Sequence, residues 1–370
     1  MNCEVLADGV PCSYRSETIG APSAPGLLDE LAGQGADVTN DTFAAAMIAY
    51  PSVSMGAAID AWARDFPGLK LLVSEYNADF ASTWTKNTSI LGAGGAWMKA
   101  AANGGAHAIH WASGVLAGVN SRDGIVSGIN YHSLQGSGGG SDNPGFGILD
   151  WAQEGPTVKA NAVAQLMAYI SELVSGRSMH SVRPGGAELV VDGAPAGLVI
   201  DSQKNLPALQ SSAFSLDGSL TAVVINRGTR PVNVSVNVSQ SGIYTGCVAT
   251  GLSASLTAFS ALDEGGWAEF DPAVQVGVPW AGPMHAAKSK VRLARVSPTV
   301  FGELVAPPLA LVVAEIEACP RETQPAVPLK ADDSSPAVDD PEVVSPEPAT
   351  CGDADGEGGL VLSRNRRERI

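Results

Sequence analysis

Apolar and polar positions divide the chain into two textures that meet near residue 176. In the first, strand-length apolar runs alternate with helical spacing. Leu27 to Leu31 reads as a short helical patch after the turn-like Gly20-Ala21-Pro22-Ser23. Phe43 to Tyr50 is an apolar run of strand length that stops at Pro51. Ala57 to Phe66 places Ile59, Trp62 and Phe66 on one helical face. Leu71 to Val73 reads as a short buried strand, and a helix is expected around His107 to Val119. Gly124 to Ser133 is a second strand, and a Gly-rich loop runs from Gly136 to Gly147. From Pro156 to Val174 the residues Val163, Leu166, Met167, Ile170 and Val174 form one apolar stripe, and Pro156 suits the first helical position. Strands alternating with helices imply a parallel sheet.

The second texture is a series of short β-rich runs: Ala187 to Val191, Gly197 to Asp201, Ala213 to Leu216, Leu220 to Asn226, Val232 to Val238 and Leu309 to Ile316. Leu216-Asp217-Gly218 and Asn226-Arg227-Gly228 supply turn signals between them. Val232, Val234, Val236 and Val238 alternate with Asn and Ser, the period of a half-buried strand. This region is expected to be a β-sandwich. Beyond Cys319 the chain is rich in Pro, Asp, Glu and Ser and has no aromatic residue, the composition of a disordered tail. The expected plan is therefore an α/β domain over 1–176, a β-sandwich over 177–318 and an acidic tail over 319–370.

Composition narrows the partners. Of 370 residues 45% are hydrophobic and 16% charged, enough apolar material for a sizeable core. The net charge of -16 argues against nucleic acid, which needs a basic footprint. From Arg321 to Gly359 ten acidic residues face two basic ones, a balance of -8, so this short segment alone carries half of the net charge and the folded part is only mildly acidic. The basic tip at Arg364, Arg366, Arg367 and Arg369 reads as a solvated end. Cys3, Cys12, Cys247, Cys319 and Cys351 have no metal-ligand spacing, and neither a metal nor a cofactor is expected. The sequence shows no apolar run long enough for a bilayer and no basic-then-apolar leader at Met1. Sequons at Asn40, Asn87, Asn233 and Asn237 permit glycosylation in a secretory setting.

Candidate chemistry centres on Lys70-Leu71-Leu72-Val73-Ser74-Glu75-Tyr76-Asn77. A buried strand here ends in a carboxylate, an aromatic and an amide. Packing does not require a Glu at that end, where an ionised carboxylate is costly unless paired or functional. Barrel enzymes built of βα units keep their catalytic groups at the C-terminal tips of parallel strands. A solvated Glu at a strand end is the plain alternative.

These residues, followed by a β-sandwich, resemble the clan A retaining glycoside hydrolases, in particular the arabinofuranosidase-, xylosidase- and glucuronidase-like families that carry such a sandwich. The resemblance runs from about Ile19 to Ile316. It implies the C-terminal half of a (β/α)₈ barrel, with Val73 to Asn77 ending strand seven and Glu75 as nucleophile. Tyr50-Pro51 would end strand six, with Tyr50 positioning the nucleophile. Gly20 to Ser23 would close strand five and Tyr131-His132-Ser133 strand eight. Asn77, Tyr131 and His132 would meet sugar hydroxyls, and Trp84 or Trp111 would offer a stacking face, although Trp111 also reads as core. His107 and His110 read as helix residues and Tyr76 as packing.

One departure matters. The clan sets its acid/base Glu after an Asn on strand four, and Asn2-Cys3-Glu4 is not that pair. Glu4 lies sixteen residues before Gly20, and Glu17 and Glu30 are misplaced for a strand-four tip. The resemblance thus implies that strands one to four are missing, so that the chain is the C-terminal part of an enzyme, an incomplete gene product or a degenerate relative. A secreted full-length form would carry its signal upstream. The functions in view are a retaining glycosidase, or its C-terminal part without the acid/base, and a non-catalytic carbohydrate-binding or adhesion protein. An unrelated fold with an incidental Glu75 is the third.

Overall fold

A computed structural model of the chain describes residues 2–5, 11–15, 33–35, 39–76, 104–121, 124–131, 149–151, 158–174, 178–180, 188–193, 199, 206–216, 219–238, 251–263, 268–270 and 286–316. The chain divides into two units, Met1–Gln324 and Pro325–Ile370, and every described element lies in the first. The expected strand-five segment Gly20 to Ser23, the Gly-rich loop and the acidic tail fall outside the described residues.

A short antiparallel pair, β1 (Asn2–Val5) and β2 (Pro11–Arg15), comes first. Helix α1 then runs unbroken over Asn40–Asp65. This corrects the expectation of a strand at Phe43 to Tyr50 with a separate helix after it. Thr39 caps the helix reciprocally with Thr42: its Oγ1 accepts from the Thr42 amide, and its own amide donates to Thr42 Oγ1. Phe43 through Tyr50 are all buried, so the run carries no periodicity, and a contiguous apolar stretch looks the same in a buried helix and a buried strand. Pro51 sits inside the helix instead of ending it. By length and composition α1 could cross a bilayer, against the sequence expectation that nothing could, but most of it is buried within this fold.

Strand β3 (Leu71–Tyr76), helix α2 (Gly105–Val119) and strand β4 (Val126–Tyr131) follow. β3 and β4 pair in parallel, as the alternation predicted. Next come β5 (Leu149–Trp151), β6 (Val158–Ala160) and α3 (Ala162–Val174). α3 starts six residues later than Pro156 suggested. Val158–Ala160 is taken into a strand, and the Asn161 side chain accepts from the Ala164 amide to begin the helix. Val163, Leu166 and Ile170 of the expected stripe are buried.

The rest is β: β7 (Ser178–His180), β8 (Leu209–Leu216), β9 (Ser219–Asn226), β10 (Val232–Asn237), β11 (Gly251–Ser260), β12 (Ala268–Phe270), β13 (Ala286–Arg295), β14 (Val300–Ala306) and β15 (Ala310–Ile316). β12 joins β6 and β5. The others form one antiparallel sheet in the order β10-β14-β13-β11-β15-β9-β8-β7. β8 and β9 pair along their whole length up to Leu216 and Ser219, in keeping with the turn signal read between them. One face of the sheet, with Phe214, Val223, Ile225, Phe259, Leu311 and Val313, shares a core with the three helices. The other gathers Leu220, Val224, Val236, Leu256, Leu293, Phe301 and Leu304 into a second core. These residues come from both halves of the strand order, so the sheet curls to enclose them. Two apposed layers were expected, and among the described residues one continuous curled sheet does their work.

Polar contacts dock α2 on the sheet. Ser113 Oγ donates to Gln210 Oε1 at 2.6 Å, Gln210 Nε2 donates back to the Ser113 carbonyl at 2.8 Å, and Asn120 Nδ2 donates to the Ser211 carbonyl at 2.9 Å. Gly105 lies so close to the Ser260 carbonyl that no Cβ would fit. The start of α2 is thereby fixed against the end of β11.

Candidate functional site at the tips of two parallel strands

β3 and β4 end together, with Tyr76 paired to Tyr131. Glu75 is the residue before Tyr76. The ladder slips at two places, between Leu71 and Leu72 and again just here: Val73 pairs with Ile129 and Tyr76 with Tyr131, so β3 takes three steps where β4 takes two. An extra residue of this kind re-aims side chains, and such irregularities gather next to active sites. It also changes the face of Tyr76. Simple alternation sets Tyr76 opposite Val73, but with the extra step both are buried.

Tyr76 packs on the first turns of α2. Its ring lies parallel to the His110 imidazole at 5.7 Å between centroids, and its hydroxyl donates to the His110 carbonyl at 3.1 Å. Gly114 makes this possible, since a Cβ there would collide with the phenol ring. Burial, and then Tyr131, push the Tyr76 hydroxyl well above the usual tyrosine range, so it stays a neutral donor.

His110 owes its orientation to Pro51. A proline at that position has no N–H for the carbonyl four residues earlier, which is that of Met47. His110 Nδ1 lies 2.8 Å from this carbonyl and donates to it. An oxygen that only accepts fixes the proton on Nδ1, leaving Nε2 with a lone pair. That Nε2 is buried and has no hydrogen-bond partner among the described residues. Burial is the main reason its pKa falls from 6.5 to about 3; the Met47 bond opposes the fall and His107 adds to it. His110 is therefore a neutral imidazole in the fold at neutral and mildly acidic pH. One helical turn earlier, His107 Nε2 lies 3.2 Å from the Tyr131 hydroxyl, and the two rings are 6.3 Å apart. Tyr131 is half-buried and its phenol is held by this contact.

The sequence-derived candidates fare unevenly. Glu75 sits in β3 at its C-terminal end, and Tyr131 stands at the matching tip of β4. Tyr50 is corrected: it lies in the middle of α1, not at the tip of a strand, because the apolar run around it is helical. Asn77, Trp84 and His132 lie outside the described residues. Trp111 is buried in the core, as is Tyr76, in keeping with their packing readings. His107 and His110 are helix residues as expected, yet they organise both strand tips. The signal for His110 was a proline within a buried apolar run, which leaves one carbonyl in search of a donor. Among the described residues no three His, Cys, Asp or Glu side chains gather to hold a metal ion.

The fit of Tyr76 against Gly114 has a measurable consequence. In an open helix Gly→Ala stabilises by ~1 kcal/mol. At Gly114 the new methyl must displace the Tyr76 ring, and such overpacking costs ~1–3 kcal/mol. Gly114→Ala is expected to lower stability in urea unfolding, with the near-UV tyrosine signal altered. A gain in stability would show that Tyr76 does not occupy this place.

No protein-family model matches the sequence, and comparison with curated proteins finds no match. Among solved structures, the chain is similar to a glycoside hydrolase family 30 subfamily 8 xylanase from Clostridium acetobutylicum, at 15% identity and a TM-score of 0.37, covering 70% of this chain and 45% of that one. It is also similar to the catalytic domain of the family 30 xylanase C from Talaromyces cellulolyticus, at 18% identity and a TM-score of 0.34 over 68% of this chain and 42% of that one. An arabinose-bound family 51 α-L-arabinofuranosidase is similar at 13% identity and a TM-score of 0.37, over 73% and 36%. The chain spans less than half the length of each of these three.

Proposed function

We propose that the chain acts on carbohydrate as a retaining glycoside hydrolase, or as the part of one that carries the nucleophile, and that Glu75 is that nucleophile. The observation that carries this reading is a carboxylate residue at the C-terminal end of a parallel strand, within the second of two slips in its ladder. In this chemistry the carboxylate attacks the anomeric carbon as the glycosidic C–O bond breaks, and water later releases the sugar from the covalent intermediate. A second carboxyl group ~5 Å away gives the leaving oxygen its proton. Tyr131, steadied by His107, is assigned to a sugar hydroxyl; so are Asn77 and His132, with Trp84 as a stacking face. No residue of this chain is assigned the acid.

Leaving groups test this division of labour. General acid assistance is worth ~10²–10⁴ in rate, and a dinitrophenolate departs without it. Purified chain assayed on paired alkyl and dinitrophenyl glycosides of several sugars is expected to turn over only the dinitrophenyl member of a pair. Efficient cleavage of an alkyl glycoside would place an acid within these 370 residues. Failure on every dinitrophenyl glycoside, with sugar binding retained, would favour the non-catalytic carbohydrate-binding protein.

A further inference from the structure

Strand β13 runs against the charge of the protein. The chain has a net charge of -16, yet Ala286–Arg295 holds Lys288, Lys290, Arg292 and Arg295 and no acidic residue. Lys288, Lys290 and Arg292 alternate, so they share one face of the strand, and all three are exposed. At ~3.4 Å per residue they form a straight row ~14 Å long, with charges ~7 Å apart. The neighbouring strand sets hydroxyl residues beside them on that same face: Lys288 pairs with Thr257, Lys290 with Ser255 and Arg292 with Ser253. Thr257 is buried, which leaves Ser253 exposed and Ser255 half-buried. Among the described residues of the neighbouring strands one carboxylate shares this face, Glu315, paired to Ser255 on the side away from Lys290. No described acidic residue forms an ion pair with Lys288 or Lys290. On its outer side β13 meets β14 only through Ala294 and Arg295, so among the described residues its edge is open from Ala286 to Leu293.

Lysines on an open edge discourage strand-to-strand aggregation, and either face serves that purpose. What edge protection does not require is three cations on one face, two of them paired with accessible serines. We propose that this row is a binding surface for an extended acidic polysaccharide, its uronate carboxylates on Lys288, Lys290 and Arg292 and its hydroxyls on Ser253 and Ser255. A row of cations at every second residue, flanked by groups that donate and accept, suits a chain whose every sugar offers both. Duplex DNA suits it less, because one charge per ~1.7 Å meets the full repulsion of an acidic protein. An anionic bilayer suits it less too, because the row has no apolar side chain to insert. The surface is on a different element from Glu75 and does not depend on the proposed catalysis.

Affinity electrophoresis through polygalacturonate, with neutral dextran as reference, tests this on the full chain. At low salt the protein should be retarded by polygalacturonate and not by dextran, and 1 M salt, with a screening length of ~3 Å, should abolish the effect. The variant K288E/K290E/R292E should bind at least roughly 10-fold more weakly, whereas S289E, on the opposite face, should bind as the parent does. If charge reversal disturbs folding by circular dichroism, K288Q/K290Q/R292Q replaces it with the same expectation. Absence of retardation, equal retardation of parent and triple variant, or equally tight binding to duplex DNA or phosphatidylserine vesicles would overturn the proposal.

Discussion

Glu75→Gln is expected to reduce turnover of a dinitrophenyl glycoside by roughly 10³-fold or more while leaving the unfolding midpoint close to that of the parent. The substitution keeps the shape of the side chain and removes its charge, so an attacking carboxylate becomes an amide that cannot form the glycosyl ester. Loss of activity alone would not separate a nucleophile from a structural carboxylate. A shorter variant does. In Glu75→Ala the missing oxygen leaves room for azide, which can attack the anomeric carbon from the vacated side as the phenolate departs. The expected product is a glycosyl azide of inverted configuration, formed only by the variant. A Glu75→Gln protein that hydrolyses the substrate at the parental rate would remove Glu75 from the chemistry. A Glu75→Ala protein that is inactive and gains nothing from azide would reassign it to structure.

The parts of this fold that were legible in the sequence are those whose local signals agree with their surroundings. β3 and β4 were readable because each is a short apolar run bounded by turn residues. The hairpin of β8 and β9 was readable because Asp217-Gly218 admits little else. β10 showed its period because only one of its faces is covered. α1 was misread for the opposite reason. Phe43 to Tyr50 are buried on every side, and the period that would have named a helix is erased. Pro51 then reads as the end of a strand, whereas the cost of a proline inside a helix is offset here by a histidine 59 positions further along the sequence. Nothing local could announce that. The candidate site divides along the same line. Glu75 could be found from its strand alone, while the slip in the ladder and the packing of Tyr76 on Gly114 depend on α2 and on β4. The curl of the large sheet is likewise a property of eight strands together, and no one of them encodes it.

The pairing of Pro51 with His110 predicts a dependence of stability on pH. In the unfolded chain His110 titrates near 6.5, and in the fold its pKa is held at about 3, chiefly by burial. Between these values the unfolded chain binds a proton at this position that the folded one does not. The contribution is therefore present in full above pH 6.5 and is lost as the pH falls toward 3. Its slope approaches ~1.4 kcal/mol per pH unit, and the loss across the window is on the order of 4 kcal/mol, a large share of the ~5–15 kcal/mol that holds a domain folded. Carboxylates that protonate in the same range also lower stability, so the test is a difference. His110→Gln keeps an amide donor for the Met47 carbonyl but does not titrate. Urea unfolding of both proteins at pH 7, 6, 5 and 4 should show the parent losing stability faster than His110→Gln by nearly one proton's worth per unit. Parallel profiles, or an imidazole resonance of His110 that titrates near 6.5 in the folded protein, would show that it is not buried beside Pro51 as a neutral ring.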